Sequence, residues 1–242
     1  MNKSKIFKVL LMSIILIIGV SQLVYAAGLP DPPWSECYWF NDPGVGTTYD
    51  INHFLHYVGY DARVYGNLYA YLVRRTMYKD AVFYVSAHGV KTGGRVRCGY
   101  LNGHKTYISA KSIPWDDYNY SLEAAFANTT DKLKWCRLVY WSACRSARNS
   151  STYGDLNDYS AITLGADSSV GFRDDLGIAH SATFDKRCFD CLIYNGGNKI
   201  KNSCETAKNY TYKVHGSYGG VDSYEIRGYT TGKILPVGYG DY

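Results

Sequence analysis

The sequence predicts an α/β fold, a mostly parallel sheet covered by helices on both faces. Residues 81–89 and 138–144 open as short apolar runs rich in β-branched and aromatic side chains, each ending in a small residue, the pattern of strands buried on both sides. Runs of this kind alternate along the chain with stretches of helical period, as in βαβ units. With 242 residues and no internal repeat or low-complexity segment, one large domain is the simplest organisation.

Taken in order, residues 37–40 form a short first strand. Asp50 opens a helix in which Ile51, Phe54, Leu55 and Val58 share one face, and Gly59 closes it. Residues 62–65 make a brief strand. Residues 68–78 make a helix with Tyr69, Leu72, Val73 and Met77 inward, and Asp80 leads into the strand that ends near His88. Residues 95–113 read as one or two hairpins turning at Asn102-Gly103. A helix over 121–133 precedes the strand ending at Cys144, and a polar loop follows to 155. Residues 156–164 read as a helix and 168–172 as a strand. Residues 183–194 form a helix with Phe184, Cys188, Cys191 and Leu192 on one face, closed by Gly196-Gly197. A last helix over 199–214 and a closing hairpin over 224–235 complete the chain.

The first 26 residues stand outside the fold. Lys3, Lys5 and Lys8 precede an apolar stretch from Val9 to Val20, and Val24-Tyr25-Ala26 supplies a small-residue cleavage site, as in a secretory signal peptide. Residues 27–49 are a lead-in carrying the first strand, and residues 50–242 the domain. Loss of the three lysines brings the formal charge from +5 to +2, which gives no case for nucleic acid. No later run is long enough to span a bilayer. The expected setting is secreted, extracellular or in the cell envelope, with no membrane contact once the signal is removed. The 25 tyrosines suit half-buried, wet surface.

Export favours disulfides. The seven cysteines leave at least one thiol over, and Cys144, at a strand end, is the candidate. Cys188 and Cys191, at i and i+3, are poorly placed to pair with each other and fit a bridge to Cys204 or elsewhere. A zinc site from these three lacks a fourth ligand of telling spacing. His53 and His56 read as surface polar residues. Asn119, Asn128, Asn149 and Asn209 head acceptor patterns for N-glycosylation.

A thiolate attacks a carbonyl carbon well, and imidazole is its usual partner. His88-Gly89 follows one apolar run and Ala143-Cys144 another. In an open α/β sheet both would reach the carboxyl edge, where ligands bind. The N–H groups of Gly89 and Cys144 are candidate donors to an oxyanion, and glycine after the histidine lets backbone approach closely.

These residues resemble the His-Gly and Ala-Cys pair of the caspase-like cysteine peptidases, the group of caspases, gingipains, clostripain, legumain and CHAT domains. The local text Ser142-Ala143-Cys144-Arg145-Ser146 is similar to the caspase pattern Q-A-C-[RQG]-G, with the histidine 56 residues upstream. Gly165-Ala166 with Val170-Gly171-Phe172 resembles the next strand of that fold. Phe184 and the stretch from Gly196-Gly197 to Ala207 resemble its following helices, so the likeness covers about residues 50–212. The resemblance implies a three-layer caspase-like fold, a Cys144/His88 dyad, an acyl-enzyme and peptide or protein substrates. It also implies specificity for the residue before the scissile bond. In several of these families the position two before the cysteine helps line the specificity pocket, and metacaspases and clostripain carry an aspartate there. The resemblance thus makes Ser142 a pocket candidate without the charge, and Asp174 and Asp175 the candidates to supply it.

No metal or organic cofactor is expected. Asp116-Asp117 and Asp174-Asp175 read as solvated loop charges, although related peptidases sometimes bind calcium. The competing expectation is an inactive caspase-like module, used for binding at a cell surface, with Cys144 in a disulfide.

Overall fold

The computed structural model describes residues 32–40, 44–129, 132–194 and 197–236. The signal sequence, residues 27–31 and 41–43 of the lead-in, and Gly196 lie outside the described residues.

Six strands form the central sheet: β1 (Trp34–Trp39), β2 (Asp61–Gly66), β3 (Asp80–Ser86), β7 (Leu138–Ser142), β8 (Ser168–Phe172) and β9 (Tyr224–Gly228). Their spatial order is β2-β1-β3-β7-β8-β9, parallel throughout except for antiparallel β9. Every residue of β3, β7 and β8 is buried, which is why these strands read as continuous apolar runs.

Side-chain alternation divides the sheet into two cores. Val82, Tyr84, Leu138 and Tyr140 face the long helices α1 (Val45–Tyr57), α5 (Ile178–Ile193) and α6 (Ile200–His215), meeting Ile51, Leu55, Phe184, Phe189, Leu192 and Cys204. Phe83, Val85, Val139 and Trp141 face the other way, toward Val73 of α2 (Ala70–Thr76) and Leu122 at the head of α3 (Leu122–Ala125). That second layer includes a small sheet of β4 (Arg95–Leu101), β5 (His104–Ser109) and β6 (Asn119–Ser121), antiparallel then parallel. Helix, sheet and mixed layer make three layers. Asn102 (φ 52°) and Gly103 (φ 79°) form the expected two-residue turn between β4 and β5, both in the left-handed region.

Several expectations need correction. The first helix begins at Val45, and β1 lies inside the sheet between β2 and β3, so the fold starts ahead of residue 50. The 121–133 helix is a single turn. Ser121 caps it by accepting the Ala124 N–H (3.0 Å), but Phe126 already leaves helical geometry. Leu133 is held by its N–H to the Leu164 carbonyl instead (2.9 Å). The 156–164 segment is α4 (Leu156–Asp158), capped by Asp155, running into a π-helical turn over Tyr159–Thr163. The closing hairpin is one strand, β9. Beyond it, the Thr230 and Gly232 carbonyls accept the Lys201 and Ile200 N–H groups, so the returning chain caps α6 rather than pairing as a strand.

The six cysteines expected to pair are buried free thiols. Cys188 and Cys204 face each other across α5 and α6, but their sulfurs stand 3.7 Å apart, not bonded. Among the described residues no group of three His, Cys, Asp or Glu side chains is placed to hold a metal, and no helix is long and apolar enough to cross a membrane.

Candidate active site

Strands β3 and β7 are hydrogen-bonded neighbours in register from Val82↔Leu138 to Ser86↔Ser142. Beyond this last pair the Ala87 N–H donates to the Ser142 carbonyl (3.0 Å), carrying the pairing one step further. His88 and Cys144 therefore leave the same carboxyl edge side by side. Gly89 lies so close to Cys144 that a Cβ on it would fall 1.6 Å from the Cys144 carbonyl oxygen. Both His88 and Cys144 are half-buried. The ring and the sulfur are not hydrogen-bonded to each other.

The segment after His88 is fixed by β4. The His88 carbonyl accepts the Arg97 N–H (2.8 Å) and the Val90 N–H donates to the Arg95 carbonyl (3.3 Å). Gly89 and Val96 are thus a non-hydrogen-bonded antiparallel pair, so the Gly89 N–H is not consumed by β4. The Cys144 N–H likewise has no backbone acceptor among the described residues.

The Leu176 N–H donates to Cys144 Sγ at 3.1 Å, a contact suited to a thiolate, and the Leu176 carbonyl oxygen lies 3.9 Å from the same sulfur. Arg145 follows with φ 57°, unusual for a side chain of its size. Its N–H donates to the Asp174 carbonyl and its guanidinium to the Lys91 carbonyl. It also pairs with Asp175 (2.6 Å), while its own carbonyl accepts the Gly94 N–H (3.1 Å). Strain held by so many contacts is typical of a site whose geometry is imposed. Burial lowers the pKa of His88 from its ordinary value and the positive charge of Arg97 adds to that, so the ring favours its neutral, basic form.

Ser142 is not a pocket residue. It is 4 % exposed and its hydroxyl donates to Asp185 of α5, behind the sheet. Asp175 is already neutralised by Arg145, with its carboxylate 66 % exposed. Asp174 is exposed at the rim, and its N–H is taken by Ser223 Oγ (3.1 Å). The sequence reading missed Asp185 altogether. It is buried and accepts hydrogen bonds from Tyr84 (2.9 Å), Tyr140 (2.8 Å) and Ser142, tying together the ends of both site-bearing strands. Leu176 and Arg97 were missed too. Their links to the site are backbone and tertiary contacts that leave no local signature.

No protein-family model matches the sequence, and no curated protein matches it. Among solved structures, the Arg-specific cysteine proteinase gingipain R is similar, with a TM-score of 0.58 over 82 % of this chain at 9 % identity. The match takes in 46 % of that chain, so this protein spans under half of its length. The likeness, with the strand order and the helix layers, defines the fold as caspase-like.

Proposed function

We propose that this chain is a secreted cysteine endopeptidase. The carrying observation is the backbone contact of Gly89 with Cys144 at one sheet edge, beside two unspent N–H groups. Cys144 is the nucleophile. Its sulfur adds to the peptide carbonyl while His88 takes the thiol proton, and the N–H groups of Gly89 and Cys144 receive the oxyanion. Collapse forms a thioester, with His88 passing the proton to the leaving amine. Water then attacks the thioester with His88 as base, releasing the acid and the thiol. The Leu176 N–H lowers the cost of the thiolate. Cleavage of residues 1–26 on export leaves the catalytic domain.

Alkylation of the non-reduced mature protein tests the dyad. Label is expected at Cys144, the half-buried thiol, with the six buried ones protected. His88→Ala is expected to slow both labelling and cleavage of a peptide library by about a hundredfold or more. Labelling at Cys144 that is indifferent to His88, with no peptide cleaved, would favour the inactive module.

A further inference from the structure

We propose that Arg97 is an anion-binding group of this site, taking a carboxylate on the leaving-group side of the substrate. The inference rests on the peptidase reading of Cys144 and His88.

Strand β4 alternates. Val96 and Cys98 enter the core, while Arg95 and Arg97 share the other face. Arg95 has its charge already answered, although its Nε, like that of Arg97, has no hydrogen-bond partner. It pairs with Asp116 at 2.9 Å and stacks between the rings of Tyr107 and Tyr153, each 4.2 Å away. Arg97, on the same face and half-buried, has neither ion pair nor ring among the described residues, and its Nε is enclosed without a hydrogen-bond partner. Its backbone N–H is bonded to the His88 carbonyl, and its charge is felt by the imidazole with no carboxylate between to cancel it.

An arginine held half out of water without a partner costs stability, and an incoming carboxylate relieves that cost. The place of the carboxylate follows from the chemistry. His88 delivers its proton to the leaving amine, so groups beside His88 face the residues after the scissile bond. Asp or Glu at the first of these positions, or a chain-terminal carboxylate soon after it, has the matching charge. Arginine is also the cation shaped to take a carboxylate with two hydrogen bonds.

The test compares iodoacetate with iodoacetamide at Cys144 at low salt. Both alkylate the thiolate, and they differ in carrying a carboxylate or a neutral amide. The ratio of the two rates cancels any change in thiolate fraction. Arg97→Met is expected to lower that ratio roughly fivefold, in the range of one exposed charge pair, and Arg97→Lys to keep most of it. Peptides with Asp or Asn just after the scissile bond supply the second readout. The wild type prefers Asp, and in Arg97→Met the Asp-to-Asn ratio of kcat/KM falls toward one, a ratio that cancels any change in absolute rate caused by the altered surroundings of His88. An unchanged ratio in Arg97→Met, with Cys144 still reactive, overturns the proposal and leaves the dyad standing. A ratio that responds as expected in a protein cleaving no peptide supports the anion site and removes the peptidase reading. A Cys144 inert to both reagents overturns both.

Discussion

At the scale of single residues, the site depends on one missing side chain. Gly89 has no Cβ, and nothing else fits against the Cys144 carbonyl. Gly89→Ala places a methyl against backbone, which cannot rotate away, so the His88 segment must shift by an ångström or so. On the peptidase reading a displacement of that size is expected to cost about a hundredfold in kcat/KM, and the overpacking costs about 1–3 kcal/mol of stability. Gly46→Ala on α1, where an added Cβ meets nothing within 4 Å, is the control and is expected to leave kcat/KM unchanged. Peptide hydrolysis with thermal melting of both variants checks the pair. The positions of His88, Gly89 and Cys144 were legible because each follows a strand end in the local text. Ser142 was misread for a reason equally local. Two positions before the cysteine it shares a face with Tyr140, and sequence does not say which face meets the helices.

At the scale of elements, strands were legible where burial on both faces made the run continuous, as in 168–172, which is β8 residue for residue. Helices were legible where a long apolar stripe repeated, as in α5 and α6. The 121–133 stretch has the right residues for one turn, and its end is claimed by another part of the chain, the Leu133 N–H donating to the Leu164 carbonyl. Asp185 shows how such contacts govern the site. It sits on α5, yet its three donors come from β3 and β7. Burial raises its pKa to about 6 against the three hydroxyl bonds that oppose the rise. The folded chain therefore holds this proton more tightly than the unfolded chain. The stability it brings is full below about pH 4, the unfolded value, and is lost as pH rises through about 6. Over that window the loss is about 3 kcal/mol. Asp185→Asn is expected to flatten this part of the pH profile. Denaturant melts at pH 4, 5, 6 and 7 read it, and a variant with the wild-type slope would contradict the assignment.

Across the whole molecule, the two edges of the sheet differ in kind. The carboxyl edge carries the site. The amino edge carries a buried acid, Asp80, which lies against buried Glu36, to which its protonated form can donate, and which no other side chain or backbone N–H reaches. Neither role is visible in composition, because a formal net charge of +5 says nothing of which acids are enclosed. Burial raises the Asp80 pKa well above the ordinary value, and the charge of Glu36 raises it further. The sign is the same as for Asp185. The neutral form suits the folded chain, so stability is full below the unfolded pKa and falls as pH climbs through the raised folded one. Glu205 opposes the trend, since Lys208 and the Tyr224 hydroxyl favour its charged form, but it is largely exposed and screened. Asp80→Asn keeps the shape and removes the proton that must be held or the charge that must be buried. At pH 7 to 8 the variant is expected to melt several degrees above wild type, in line with about 1–2 kcal/mol for relieving a buried unpaired acid, and the gap is expected to close toward pH 4. The site lies at the opposite edge, so cleavage and Cys144 labelling should be unchanged. A variant that melts lower at every pH would mean that the Asp80 carboxylate is held by favourable interactions in the folded chain, and the acid-side maximum of stability would go with it.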